Sequence, residues 1–206
     1  MPITTLFWDL GGVVLTNGWG HDSRRRAVEK FGLDAADFEE RHHAVFPAWE
    51  AGEGTIDRYL ERTVFYQPRS FSRADFMAFM YEQSQALTGG LELLRALSTA
   101  YRCVMLSNDP REITEYRIRR FNLAPLFSVF CSSSFVGLRK PDPRIYSLAL
   151  DLAQRAPEEC LFLDDRCVNL EGAAALGIQT LQVRDPEQLP RELAARGIRG
   201  AMPVTV

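Results

Sequence analysis

The sequence predicts an α/β protein: a doubly wound parallel sheet with an all-helical block inserted after its first strand. Three observations carry this. From about residue 88 onward, short apolar runs alternate with stretches of helical periodicity, the pattern that parallel crossovers require. The first apolar run, Leu6-Phe7-Trp8, ends in Asp9 and a glycine pair, Gly11-Gly12. The next strand-like run ends at Ser107, about 100 residues later, whereas a strand–helix–strand unit needs about 30. The surplus, residues 18–87, carries apolar residues at three- and four-residue steps and no strand signal.

Each element follows from local chemistry. The run around Leu6–Val14 is apolar, short and bounded by glycine, which reads as a buried strand and a sharp turn. Phe38, His42, Val45, Phe46 and Trp49 fall on one helical face, and Gly52 and Gly54 interrupt that helix. Thr55 is placed to cap a helix carrying Ile56, Tyr59, Leu60 and Val64. Pro68 ends that segment, and Ser72 opens another with Phe76, Phe79 and Met80 inward. Leu91, Leu94 and Leu97 mark a helix; residues 101–106 form the second strand; a helix follows around 111–121. A third strand near 127–131 leads to a loop holding Gly137-Leu138-Arg139-Lys140-Pro141. Asp142 and Pro143 are an N-cap and a first helical residue. The fourth strand, 160–163, ends at Asp164-Asp165, and the helix with Leu170, Ala173, Ala174 and Leu176 stops at Gly177. A fifth strand near 178–183 and a helix near 189–196 complete the chain, which divides into a core (1–17 and 88–206) and a helical cap (18–87).

Composition bounds the function classes. A chain of 206 residues with 46% hydrophobic and 25% charged residues is ordinary for a globular protein with a sizeable core. A formal charge of -3 gives no reason to expect a nucleic-acid partner. No apolar run approaches the roughly 20 residues of a membrane helix, and the N-terminus lacks the basic-then-apolar pattern of a signal peptide. The expected location is therefore the cytosol. Cys103, Cys131, Cys160 and Cys167 form no C-x-x-C pair, and His21, His42 and His43 lie elsewhere, so buried free thiols are expected in place of a zinc site.

The chemistry lies at the strand ends. Strand one ends in Asp9, strand two in Ser107-Asn108, strand four in Asp164-Asp165, and Lys140 follows strand three. Ligands of open parallel sheets bind beyond the carboxyl ends of the strands, so these groups can converge on one pocket. Asp9, Asp164 and Asp165 would be costly neighbours without protons or a cation to offset them. Lys140 supplies one positive charge, and a hard divalent ion such as Mg2+ would supply more. With the Ser107 hydroxyl and the Asn108 amide as donors, these are the parts of phosphoryl transfer: nucleophile, oxyanion donors and metal. Each piece has a plainer reading. Ser107-Asn108-Asp109-Pro110 can be a turn and cap, Lys140 a surface lysine, and one of Asp164-Asp165 a helix cap; Asn169 either positions the acidic loop or caps locally.

Four stretches, FWDLGGVV (7–14), VMLSND (104–109), GLRKPDPRIY (137–146) and LFLDDRCVNLEGAAALGI (161–178), resemble the haloacid dehalogenase superfamily of hydrolases, helical-cap branch. Within it the chain is similar to sugar-phosphate phosphatases and the N-terminal phosphatases of epoxide hydrolases. The resemblance implies a Rossmann-like sheet ordered 5-4-1-2-3 and an aspartyl-phosphate on Asp9. It also implies phosphate contacts from Ser107 and Lys140, and Mg2+ held by Asp9, the Gly11 backbone carbonyl and Asp165. Asp164 would act mainly through metal-bound water and the lysine. The expected substrate is a small phosphorylated metabolite. One departure stands out: phosphatases of this family usually carry a second Asp two residues after the nucleophile, where this chain has Gly11, so the general acid/base is missing. A 2-haloacid dehalogenase, or a binding module on the same fold, are the rivals.

In the cap, Arg24-Arg25-Arg26 reads as a solvated helix face and His42 as a packed core histidine. His21 and Trp19 are candidates for substrate contact, and cap aromatics could equally serve a homodimer. Arg117, Arg119 and Arg120 read as surface charges.

Overall fold

The computed structural model describes residues 1–200; the tail 201–206, which the sequence reading assigns to the core, lies outside the described residues. Strands β1 (Thr5–Trp8), β2 (Arg102–Ser107), β3 (Val129–Ser132), β4 (Cys160–Asp164) and β5 (Gln179–Gln182) form one parallel sheet in the order β3-β2-β1-β4-β5, the expected order read from the opposite edge. The central strand pairs Thr5 with Arg102 on one side and with Cys160 on the other. Sequence order runs outward in both directions from β1, so the switch point lies at its end. There Asp9 continues the ladder, its N–H donating to the Leu163 carbonyl at 2.9 Å.

Both faces of the sheet are covered, which is why its central strands β1, β2 and β4 are nearly continuously apolar, whereas the edge strand β5 (Gln-Thr-Leu-Gln) is not. Leu6, Trp8, Met105 and Leu163 pack with Leu91 and Leu94 of helix α5 (Gly90–Ser98) on one face. Phe7, Val104 and Phe162 pack on the other with helices α8 (Pro143–Ala153) and α9 (Cys167–Ala174). Odd and even positions of β1 thus feed opposite cores, as the two-residue repeat of a strand demands. Helix α6 (Arg111–Arg120) follows β2, and α10 (Leu189–Ala195) follows β5. The loop expected before Lys140 contains a short helix, α7 (Ser133–Val136), closed by Gly137 with φ +70°. Four residues are too few to show a helical period.

Between β1 and α5 the chain forms helices α1 (His21–Phe31), α2 (Ala35–Glu50), α3 (Ile56–Thr63) and α4 (Arg73–Glu82). The starts of α2, α3 and α4 are set by side chains that satisfy free N–H groups. Asp34 accepts from the Asp37 N–H, Thr55 accepts from the Arg58 N–H, and Ser72 forms a capping box with Asp75. The block has its own apolar cluster of Trp19, Phe38, Trp49, Tyr59 and Phe76, joined by Ile113 from α6. Inside it, the Trp19 indole donates to the Tyr59 hydroxyl at 2.7 Å, and that hydroxyl lies 2.9 Å from His42 Nδ1. His42 is a packed core residue, as expected.

Two arginines are not on the surface. Arg24 is buried, pairing with Glu39 at 2.8 Å and donating to the Trp19 carbonyl, so the Arg24–Arg26 run is only partly a solvated face. Arg117 is 1% exposed and paired with Asp109, whereas Arg119 and Arg120 are exposed. Composition cannot separate a buried arginine from an exposed one when the partner is distant in sequence. The thiols are free, but Cys167 is exposed, unlike the other three. Among the described residues, no helix is long and apolar enough to cross a membrane.

Burial, and then the nearby Arg24 charge, lower the His42 pKa from 6.5 to about 3. The unfolded chain therefore takes up a proton between those values that the folded chain refuses, and stability falls as pH drops from about 6.5 toward 3. Between pH 6.5 and 4.5, wild type should lose more stability in urea melts than His42→Gln, by up to about 1.4 kcal/mol per pH unit. Parallel pH profiles for the two proteins would contradict this.

Candidate active site

The end of β1 places Asp9 beneath an open cleft of about 730 Å³ between the sheet and the helical block. Asp9, Gly11, Gly12, Ser107, Asn108, Lys140 and Asp165 line its floor, and Trp19, His21 and Phe46 line the helical side. The residues expected at the strand ends, Asp164 excepted, thus face one space, and the cap candidates Trp19 and His21 border it.

A buried charge cluster forms the centre. The Lys140 ammonium lies 2.6 Å from Asp164 Oδ2 and 3.1 Å from Asp9 Oδ1, over the Phe162 ring at 5.2 Å. It is no surface lysine: its side chain is 1% exposed. Burial works against its charge, but Asp9 and Asp164 outweigh that, and its pKa is raised. Asp9 Oδ1 also accepts the Leu10 N–H at 2.8 Å. Asp164 is fully buried, and its oxygens accept from Lys140 Nζ, Arg166 N and Asn169 Nδ2. Asn169 therefore holds the acidic loop, and Asp164 serves Lys140 more than the cleft.

The donors expected to meet a phosphoryl group are differently engaged. Ser107 Oγ donates to Asp109 Oδ2 at 2.9 Å. The Asn108 side chain clips the lysine loop in place, donating to the Lys140 carbonyl and accepting the Lys140 N–H at 2.8 Å. Pairwise motifs in sequence do not reveal such cross-loop bonds. The space that a side chain at Gly11 would fill is taken by Asn17, whose Oδ1 is 2.6 Å from where a Cβ would stand. Gly12, with φ +73°, lets the Asp165 carboxylate approach its bare backbone; a Cβ there would lie 2.5 Å from Asp165 Oδ2.

A divalent cation suits this donor set. Asp9, Asp164 and Asp165 each bring a carboxylate oxygen within 4.8 Å of the others, against the single charge of Lys140. Burial first, then the neighbouring Asp164, Asp109 and Asp165, push Asp9 up to about 7 despite the opposing pull of Lys140. Burial and Asp164 likewise raise Asp165. Uncompensated negative charge is thus the defect of the cluster, and hard oxygen ligands are what Mg2+ prefers. The buried Oδ1 of Asn169, which borders the cleft and has no hydrogen-bond partner, is an acceptor suited to a water of such an ion.

Fold and site together define a class: an α/β protein with a cluster of carboxylates and a buried lysine at the switch point of a parallel sheet. The family model of haloacid dehalogenase-like hydrolases matches residues 3–177, and the chain belongs to that family. Flavin mononucleotide hydrolase 1 of Arabidopsis thaliana is 29% identical over 178 residues, covering 84% of this chain and 71% of that protein. Bifunctional epoxide hydrolase 2 of Sus scrofa is 44% identical over 71 residues, 34% of this chain but only 13% of that much longer protein. Among solved structures, a magnesium complex of a family enzyme from Bacteroides thetaiotaomicron superposes with a TM-score of 0.77 at 24% identity, covering 88% of this chain and 93% of that one.

A cation held by Asp9 and Asp165 would compete with protons for them. Because both carboxyls sit above their ordinary range, Mg2+ should bind more tightly as pH rises through about 7. Thermal-shift titrations should give a larger stabilisation by Mg2+ at pH 8 than at pH 5.5. Equal shifts at both would show that these carboxyls are not the ligands.

Proposed function

We propose that this chain is a Mg2+-dependent phosphatase that hydrolyses a small phosphate monoester through an aspartyl-phosphate on Asp9. The observation that carries the reading is the convergence of Asp9, Lys140 and Asp165 on one cleft, with Asp164 buried behind Lys140 and the Ser107 hydroxyl at the edge. Asp9, the Gly11 backbone carbonyl and Asp165 would hold the ion, with Asp164 contributing through Lys140. The ion would supply charge neutralisation, bringing Asp9 to its ionised, nucleophilic form.

In the first step a carboxylate oxygen of Asp9 forms a bond to phosphorus as the bond to the ester oxygen breaks; the leaving oxygen keeps the electron pair, departs as the alkoxide or phenoxide and takes its proton from water. In the second, water attacks the same phosphorus, the Asp9–phosphorus bond breaks, and inorganic phosphate departs. Lys140 offsets negative charge on the phosphoryl oxygens as it does on Asp9, and Ser107 donates its hydroxyl to one of them. Asn108 keeps the Lys140 backbone in register. We assign residues 1–17 and 88–206 to the catalytic core and 18–87 to the cap that selects the substrate.

Residue 11 gives the leaving oxygen no proton, and an asparagine amide stands in its place. General acids are worth about 10²–10⁴-fold when the leaving group needs one. Esters of good leaving groups should therefore be favoured. A haloacid dehalogenase would also tolerate Gly11, but Asp165 beside Asp9 would add only unbalanced charge to a reaction that expels halide.

With Mg2+ present, p-nitrophenyl phosphate should be turned over, and a panel of alkyl phosphates more slowly. Asp9→Asn should abolish both activities, and Lys140→Met should lower kcat by at least about 100-fold, as loss of a transition-state charge partner does. Turnover retained by Asp9→Asn, or chloride release from 2-chloropropionate without Mg2+, would refute the assignment.

A further inference from the structure

Arg117 is among the largest fully buried side chains of the described residues, and the reaction proposed for the cleft does not use it. It projects from α6 into the junction of three segments. Its Nη1 lies 2.7 Å from Asp109 Oδ2, its Nε donates to Ser84 Oγ at 3.1 Å, and its Nη2 donates to the Thr16 carbonyl at 3.0 Å. Thr16 belongs to the strap that leads from the sheet into the helical block, and Ser84 to the strap that leads back. The two straps are bound to each other: the Thr16 N–H donates to the Gln85 carbonyl, the Thr16 hydroxyl donates to the Gln83 carbonyl at 2.6 Å, and Leu87 donates to Val14. Gly18 leaves room for the guanidinium, since a Cβ there would collide with Nη2.

On its other side Arg117 reaches the site. The Asp109 oxygen that it neutralises is the one that accepts the Ser107 hydroxyl, 2.9 Å away. Ser107, Asp109, Arg117 and the two straps are therefore one continuous polar chain, running from the rim of the sheet to the attachment of the cap.

A serine hydroxyl has one proton, and a carboxylate can only accept. To donate to a phosphoryl oxygen, Ser107 must turn its proton away from Asp109. Asp109 is 8% exposed, and without Arg117 that turn would leave a buried carboxylate with no charge partner, next to an anion. Such a group is costly and would keep the proton of Ser107. With Arg117 present, Oδ2 retains a charge-assisted bond whichever way the hydroxyl points.

We propose that Arg117 is a positioning residue: it neutralises Asp109 so that the Ser107 hydroxyl can be given to a phosphoryl group, and it fastens that hydroxyl to both straps of the helical block. The part played by phosphate rests on the phosphatase reading; the mechanical link between site and straps does not.

The test uses the full chain with Arg117→Met, Arg117→Lys, Asp109→Asn and the Arg117→Met/Asp109→Asn pair. Arg117→Met should raise KM for p-nitrophenyl phosphate, and weaken inhibition by inorganic phosphate, by about tenfold or more, as stranding one partner of a buried pair does. The double variant should recover much of that loss, because the stranded carboxylate is gone. Arg117→Lys, which keeps the charge, should also stand closer to wild type than Arg117→Met. A merely structural role would make the double variant as poor as the single one, or poorer, and that result would overturn the proposal.

Hydrogen exchange supplies the readout independent of activity. Asp109→Asn removes none of the hydrogen bonds made to a strap, yet exchange at residues 14–18 and 83–87 should quicken in it. Unchanged exchange there would overturn the link, and Asp109→Asn covers the case in which Arg117→Met does not fold. A wild-type chain that neither turns over nor binds phosphate, while its straps respond to Asp109→Asn, would sink the phosphatase reading and leave the link standing.

Discussion

The buried ammonium of Lys140 is the constraint on which the site depends. It sits between Asp9 and Asp164, out of water, and holds two carboxylates at a distance that neither would accept alone. Everything around it serves that placement. Asn108 fixes the backbone of its loop, Asn169 and the Arg166 N–H hold Asp164, and Phe162 packs beneath its charge. Asp165 then adds a negative charge that Lys140 does not balance, so the cluster is short of positive charge by design of its residue types. Carboxylates raised by burial weaken the empty fold, and a bound cation would offset that cost.

The architecture delivers these groups with little freedom. A central strand buried on both faces ends at the switch point, and the strands beside it carry Ser107 and Asp164 to the same rim. The helical block is attached just beyond Asp9 by two straps that are hydrogen-bonded to each other and gripped by Arg117. Its own apolar cluster reaches down to Ile113 of α6, so it packs on the sheet domain as well as hanging from it. The cleft wall opposite the sheet is therefore built from Trp19, His21 and Phe46, residues of the block.

Much of this was legible in the sequence because it is local. Apolar runs gave the strands, and Thr55, Ser72 and Asp142 marked helix starts where they cap them. Polar residues at successive strand ends could be assigned to one rim once the sheet was parallel. What escaped depends on partners far along the chain. Arg117 looks like its neighbours Arg119 and Arg120 until Thr16, Ser84 and Asp109 are folded around it, and Arg24 looks like Arg25 until Glu39 meets it. The amide of Asn108 reads as a free donor until the Lys140 backbone claims it. Asn17 carries no motif, and only the empty Cβ position of Gly11 shows what its amide replaces.

The central claim is that Asp9 accepts phosphorus, and trapping the covalent form tests it most directly. The protein would be mixed with Mg2+ and p-nitrophenyl phosphate, quenched in acid, reduced with borohydride and digested. The account predicts that the peptide containing Asp9 carries the reduced residue at position 9, and that omission of Mg2+ abolishes it. Steady hydrolysis with position 9 unmodified, or with the label on another residue, would contradict it.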